Sequence, residues 1–439
     1  MAEVQYDVIV VGAGPAGSTL ATLLAKKNRR VLILEKEKFP RYHIGESLVY
    51  GVIPILKELG VLEKVDAHDG FTKKYGGTYV WGNKPEPWDF YWGEYPGLDD
   101  DAYTYQVSRA EFDNLLLRHA ESLGVDVREE HQVVDVLWKN ERCVGVKIKD
   151  SNGAFFEAHA QYIVDATGQS ALFGNMLKIV EYNSEFKNVA FWSYFKNAQQ
   201  QEGRQAGNIY IECTSKGWLW FIPQKEITSV GLVATPENLQ NFQAKDPQSR
   251  YFEGIESSRE IRHLLENAER TDEVRSIRDW SFKCKNFYGP GFLMVGDAAG
   301  FVDPLFSTGV FLAMNGGSLG AKILDEALKH PEKEAELFAR YESTYQKFFG
   351  AVVAFVRFFY DSSRELSSYY EQAKDLVDPF SNLADQEEFV FLISGLHGVY
   401  LSDHEKIVAE GLDGAHSLEK TEPLKQHLTE WSKTRESLV

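Results

Sequence analysis

Gly12-Ala13-Gly14-Pro15-Ala16-Gly17 follows the β-branched run Val8–Val11 and precedes the helical pattern STLATLLAKKN. Glycines at this spacing are suited to holding a dinucleotide. Gly12 permits the tight turn, Gly14 lets a pyrophosphate approach the backbone, and Gly17 allows close helix–strand packing. The helix start that follows offers N–H groups and a positive dipole end to phosphate. Glu35, eighteen positions after Gly17, ends the next apolar run, Val31–Leu34, where a carboxylate can accept hydrogen bonds from ribose hydroxyls. Asp297, in Met294-Val295-Gly296-Asp297-Ala298-Ala299, is a second carboxylate at a strand end, suited to a polyol hydroxyl. Lys73 and Lys74 precede a glycine-rich strand. A lysine head is compact, and burial can bring its pKa toward neutrality. Ser307-Thr308-Gly309 opens a further helical pattern, where free N–H groups suit a small anion. Each of these has a plainer reading: lysines on a surface, a helix cap, a structural turn.

The elements that must position these groups can be read from periodicity. Val8–Val11, the following helix and Val31–Leu34 make one βαβ unit. Arg109–Leu123 reads as a helix and Val125–Val127 as a strand. Residues 132–137 and 143–149 alternate as antiparallel strands, with Asn152-Gly153 as a hairpin turn. Tyr162–Val164 is a strand into Asp165-Ala166-Thr167-Gly168. Residues 189–235, rich in Phe, Trp, Tyr and Val, read as an antiparallel sheet. Gly291–Val295 is a buried strand, Gly309–Leu328 a helix, and the pattern from Pro331 onward is mainly helical. The predicted fold is α/β: a Rossmann-type domain (1–75, 106–180 and 285–330) interleaved with an antiparallel-sheet substrate domain (76–105 and 181–284), plus a helical C-terminal segment (331–439). Within that segment Phe348, Phe355 and Phe359 share a helical face, either as core or as the lining of a substrate entrance. The tail Leu418–Val439 is polar and charged and is expected to be mobile.

Bulk properties narrow the function classes. The 47 basic and 65 acidic residues give a net charge of −18, which argues against nucleic acid or an anionic membrane as the main partner. The three cysteines are widely spaced and odd in number, so neither a disulfide set nor a metal site is expected, and a reducing, cytoplasmic setting is. The apolar runs at the N-terminus and at Ala351–Tyr360 are too short to span a bilayer, so no membrane anchor is expected.

Four motifs in order resemble one family. The Gly296-Asp297 segment resembles the second FAD motif of glutathione-reductase-like flavoproteins of the p-hydroxybenzoate hydroxylase type. Within that superfamily, Trp218, Trp220, Ile222 and Pro223 match the Trp-x-Trp-x-Ile-Pro signature of the FAD-dependent halogenases. Pro40 to Ser47 matches their Pro-Arg-x-His-x-Gly-Glu-Ser stretch, Phe71 to Gly76 resembles the segment bearing their active-site lysine, and Phe301 to Gly309 resembles their halide-side motif. The resemblance implies FAD contacts from Gly12, Gly14, Ala16, Gly17, Glu35, Arg41, Ser47, Arg109, Asp297 and Gly309. It implies a halide site at Ser307, Thr308 and Gly309, and a catalytic lysine at Lys74, favoured over Lys73 by the register Phe-x-x-Lys-x-Gly. Reduced FAD, O2 and chloride or bromide would give hypohalous acid, which Lys74 receives either by hydrogen bonding as an ammonium or by forming a haloamine as an amine. Trp218 and Trp220 would be a barrier separating substrate from flavin. A separate NAD(P)H flavin reductase is the implied partner.

The resemblance is incomplete at Phe306, where the relatives that act on free tryptophan carry a glutamate. That departure, with a short C-terminus, favours the branch acting on phenols or pyrroles, including rings tethered to a carrier protein. Competing readings are an aromatic hydroxylase of the same fold, an isoprenoid-reductase-like flavoenzyme, and a flavin-binding escort without turnover.

Overall fold

The computed structural model describes residues 6–402, apart from 85 and 279. The polar tail Leu418–Val439 lies outside the described residues. The chain forms two compact units, each assembled from three stretches. Among the described residues, unit 1 takes 6–69, 107–186 and 280–349; unit 2 takes 70–106, 187–278 and 350–402.

Unit 1 is built on a parallel sheet. Its centre is β1 (Tyr6–Val11), flanked by β2 (Val31–Leu34) on one side and the strand Phe155–Asp165 on the other, all parallel. Asp126–Arg128 extends the sheet beyond β2, and Phe292–Met294 extends it beyond Phe155–Asp165. Val8, Ile9 and Val10 are fully buried, as a strand covered on both faces must be. The long strand Phe155–Asp165 changes partners along its length. Its first half pairs antiparallel with Arg142–Lys149, which pairs with Gln132–Lys139 across a hairpin. Helix α1 (Pro15–Lys26) connects β1 to β2. The helix Gly309–Lys329 packs on α1 so closely that a Cβ on Gly317 would lie 2.4 Å from the Ala16 carbonyl oxygen.

Unit 2 is built on a mostly antiparallel sheet. Its order is Glu269–Arg270, Val189–Lys196, Thr228–Ala234, Gly217–Pro223, Ile209–Thr214, Gly76–Val80 and Trp88–Tyr91. One pairing is parallel, Ile209–Thr214 against Gly76–Val80, which adds a strand from before residue 100 to the sheet expected over 189–235. Alternation sorts the two faces of Gly217–Pro223. Leu219 and Phe221 join the core under the helices Pro247–Ser257 and Glu260–Leu264, while Trp218, Trp220 and Ile222 point the other way. Thr72–Lys74 stays out of this sheet and pairs antiparallel with Thr104–Gln106 as a separate two-stranded ribbon.

The C-terminal helices of unit 2 answer the question about the aromatic stripe. Phe355 and Phe359 are buried; Phe359 packs 4.4 Å from Tyr369 and 5.1 Å from Trp81, ring centroid to ring centroid. Phe348, which belongs to unit 1, is equally buried, against Phe311 of the same unit. The stripe is core. No described helix is long and apolar enough to cross a membrane.

A buried carboxylate fixes one helix to the unit 2 sheet. Glu212, on Ile209–Thr214, accepts the backbone N–H groups of Arg259, Glu260 and Ile261 at 2.6, 3.1 and 2.9 Å. These are donors that no helical carbonyl can satisfy. Glu212→Ala should therefore lower unfolding stability by about 2–3 kcal/mol, read as a denaturant-midpoint shift at constant m-value.

Candidate active site

The glycine turn of unit 1 has the geometry its spacing predicts. Gly12 sits at φ +104° and donates its N–H to Leu34 O at 2.8 Å; a Cβ there would meet Ala166 O at 2.4 Å. A Cβ on Gly17 would lie 2.0 Å from Gly12 O, so both of these glycines are required by the chain's own packing. Gly14 differs. The nearest atom to a Cβ there is Arg41 Nη2 at 3.7 Å, so this glycine faces room. Gly14 caps α1 without a side-chain bond, and the first intrahelical bond is Ser18 N–H to Gly14 O at 3.0 Å. The preceding amides, including those of the buried Ala16 and of Gly17, stay outside the ladder. Glu35 holds the turn from the side: Oε2 accepts Ala13 N–H and Oε1 accepts Glu37 N–H, both at 2.9 Å. An open cradle over Gly14 and an uncapped helix start fit a pyrophosphate.

The two arginines of this region share one carboxylate. Arg109 donates from Nε and Nη2 to the two oxygens of Asp113 at 2.8 and 2.9 Å, and from Nη1 to the carbonyls of Ile44 and Gly45 at 2.9 and 3.3 Å. Arg41 donates to the same Asp113 at 3.0 Å and lies over the Phe39 ring. Burial pushes the Asp113 pKa up, but Arg109 and Arg41 outweigh it and hold the carboxyl below its ordinary range. Arg109 thus fastens the Arg41–Ser47 stretch, in which Ser47 is buried. Sequence reading did not single out Asp113; its i,i+4 spacing from Arg109 on one helix was the available signal.

The other residues that the sequence assigns to the cofactor lie in the same unit, Asp297 in a turn after the strand Phe292–Met294 and Gly309 at a helix start, with Asp165 at the end of the strand beside β1. Asp165 accepts Thr167 N–H and Oγ1–H at 3.0 and 2.6 Å and Phe173 N–H at 2.8 Å, fixing the strand-to-loop segment. Burial lifts the Asp297 pKa to about 7, against the pull of Arg109, so near neutrality its carboxyl can donate or accept toward a hydroxyl. The helix Gly309–Lys329 starts at Thr308 with no side-chain cap, and its first bond is Leu312 N–H to Thr308 O at 2.8 Å. Ser307, at φ +58°, turns the chain into it. Thr308 is buried and Gly309 half-buried, so this helix start has unbonded amides of the kind that hold anions. Phe306 beside it is buried and apolar. Together the turn, Asp297 and the uncapped helix fit FAD.

In unit 2 the two candidate lysines have different fates. Lys73 is exposed, its Nζ 3.9 Å from the Tyr103 ring centroid. Lys74 is 1 % exposed, and burial lowers its pKa to about 7. Trp92, unnoticed in the sequence, holds it: the indole N–H donates to Lys74 O at 3.2 Å, and the ring centroid is 5.4 Å from Nζ. Trp218 and Trp220 lie side by side on one face of their strand, their rings 6.0 Å apart at 52°. Trp218 Nε1 donates to Tyr360 OH at 3.0 Å, as does Asn188 Nδ2 at 2.9 Å. Trp220 Nε1 donates to Ser229 Oγ at 3.2 Å. Its ring lies flat over Gly231, its partner across the strands, where a Cβ would meet the indole at 2.1 Å.

Comparison with known proteins agrees with this geometry. A family model described as an FAD binding domain matches residues 5–356. A tryptophan 2-halogenase of Chondromyces crocatus is 36% identical over 400 residues, covering 89% of this chain and 75% of that one. A 1H-pyrrole-2-carbonyl-(peptidyl-carrier protein) chlorinase of Pseudomonas fluorescens is 33% identical over 365 residues, covering 78% and 80%. The solved structure of the myxobacterial chondrochloren halogenase CndH superposes with a TM-score of 0.77 at 34% identity, covering 90% of this chain and 97% of that one.

Asp297→Ala should weaken FAD binding about tenfold or more, the worth of one hydrogen bond to a titrating group, measured by flavin fluorescence titration of the purified chain. The chain belongs to the flavin-dependent halogenases, oxidoreductases that use FAD, a halide and O2.

Proposed function

We propose that Lys74 receives hypohalous acid and delivers its halogen to an electron-rich aromatic ring, a pyrrole or a phenol, including rings tethered to a carrier protein. The observation that carries this reading is the burial of Lys74, which leaves its pKa at about 7. Near neutral pH such a group can give a proton and take one back with little penalty. When bound, reduced FAD would supply the two electrons for the reduction of O2 by which halide becomes hypohalous acid. The Lys74 ammonium then hydrogen-bonds the oxygen of that acid. As the ring's π pair forms the carbon–halogen bond, the O–X bond breaks with its electrons on oxygen. The proton from Lys74 turns the departing hydroxide into water, and the amine takes the ring proton. The sum is arene plus hypohalous acid giving haloarene plus water.

The halide is assigned to the helix start at Ser307, Thr308 and Gly309; the Ser307 N–H is already given to Pro304 O at 3.0 Å, so the amide donors there are those of Thr308 and Gly309. Reduced FAD is assigned to a separate NAD(P)H flavin reductase. Support for a pyrrole or phenol comes from the buried Phe306, which offers no carboxylate to an unactivated ring carbon, and from the pyrrole-specific name of one relative. An indole is the second reading, favoured by the 36% identity to an enzyme named for tryptophan. A panel of free tryptophan, phenols, and free and carrier-bound pyrrole, with reduced FAD, O2 and chloride or bromide, separates the two by product mass. Product carrying oxygen and no halogen would overturn the halogenation reading.

Lys74→Met should abolish halogenation by roughly a hundredfold or more; full product from that variant would sink the lysine assignment. In the wild type, halogenation should fall as pH rises through about 7, where Lys74 loses its proton. Stability should move the other way. Folded Lys74 keeps its proton only below about 7, whereas the unfolded side chain keeps it to 10.5. Between those values the unfolded chain binds more protons, so this group's contribution to stability rises with pH. The Met variant should therefore melt several degrees higher at pH 7, with the gain shrinking toward pH 10.

Trp218 and Trp220 are assigned the task of keeping the ring from the flavin while a small oxidant passes. Gly231→Ala must displace the Trp220 indole. It should raise hydrogen peroxide release or ring hydroxylation per O2 consumed about three- to tenfold, beyond any loss of folded protein; unchanged coupling would remove the barrier role.

A further inference from the structure

The ribbon that carries Lys74 has an unusual face. Register pairs Thr72 with Gln106 and Lys74 with Thr104, so all four side chains project to one side. Lys74, Thr104 and Gln106 are at most 1 % exposed, so polar groups line a buried surface. Asn208, 3 % exposed, approaches the same segment: its Oδ1 accepts Gly76 N–H at 2.9 Å. Gln106 Nε2 donates to Gly207 O at 3.0 Å, and Gly207 presses on the Lys73 carbonyl, where a Cβ would come within 1.7 Å.

Those backbone bonds fix which end of each amide is which. Gln106 Oε1 and Asn208 Nδ2 are then left buried with no hydrogen-bond partner among the described residues. One is an acceptor and the other a donor, and each belongs to a side chain anchored within two residues of Lys74 by chain or by pairing. Leaving such atoms unmet costs about 1–3 kcal/mol each in a site that binds nothing. The pattern fits a small neutral molecule that both donates and accepts.

We infer that Gln106 and Asn208 complete the Lys74 site by holding hypohalous acid, Gln106 Oε1 accepting its O–H and Asn208 Nδ2 donating to its oxygen. This rests on the reading of Lys74 as the halogen-delivering residue. The acid's proton is then directed away from Lys74, which leaves an oxygen lone pair for the ammonium. Two donors on that oxygen make it the better leaving group and the halogen the more electrophilic end. The same arrangement retains the oxidant until a ring arrives.

The test measures partition with the FAD-loaded full chain, bromide, O2 and reductant. Halogenated phenol or pyrrole is quantified against free hypobromous acid captured by monochlorodimedone. Gln106→Met and Asn208→Asp, the latter keeping Oδ1 for Gly76, should still consume O2, but their ratio of product to captured halogen should fall about tenfold. Gln106→Met also removes the bond to Gly207 O, so the ratio is read per folded, FAD-loaded protein with the melting temperature measured in parallel; a purely structural task would lower the melting temperature and leave the ratio unchanged. Unchanged ratios in the two variants overturn the inference, and Gln106→Met decides it alone where Asn208→Asp does not fold. Lys74→Met run alongside keeps the two readings apart: full product there overturns the lysine role, whatever the ratios of the amide variants.

Discussion

Taking the Lys74 ammonium out of water is the constraint around which unit 2 is arranged. A lysine can be buried only where its charge is weakened or its surroundings compensate. Here burial alone lowers the pKa to about 7. The indole of Trp92 supplies a π face near Nζ and fastens the Lys74 carbonyl. The ribbon stands apart from the main sheet, so its buried face can be polar without breaking the apolar core under Leu219 and Phe221. A site of this kind gives up stability for a proton that is easily moved at neutral pH.

Unit 1 solves a different problem, the close approach of backbone to an anionic cofactor. Its means are steric before they are electrostatic. Gly12 and Gly17 let β1, α1 and the Ala166 carbonyl crowd together, and that crowding leaves Gly14 as the residue with room before it. Charge is managed around this core. Asp113 bonds both Arg41 and Arg109 and offsets one of their two positive charges, and Arg109 also fastens the carbonyls of Ile44 and Gly45. Backbone amides at the starts of α1 and of Gly309–Lys329 face an anion, with the Arg41 guanidinium beside Gly14.

The tryptophan strand shows how one sequence pattern serves two purposes. Period-two alternation sends Leu219 and Phe221 into an ordinary core and Trp218 and Trp220 to the opposite face. Orientation of the indoles then comes from elsewhere in the chain: Tyr360 and Asn188 for Trp218, Ser229 and Gly231 for Trp220. These partners are far away in sequence, and the Trp-x-Trp pattern alone carries no trace of them.

The sequence by itself determined the βαβ unit, the glycine turn, the sheet over 189–235 and the family, because each rests on local spacing: short periods, turn residues and contiguous motifs. It also ranked Lys74 above Lys73, though only through motif register. Tertiary structure decided what depends on pairing between distant strands. Thr72–Lys74 could not be seen to leave the main sheet for Thr104–Gln106, nor Gly76–Val80 to join Ile209–Thr214 in parallel. Hence Trp92, Gln106 and Asn208 stayed invisible as neighbours of Lys74. The burial that sets the Lys74 proton affinity is likewise a property of everything packed around it, and no window of sequence contains that.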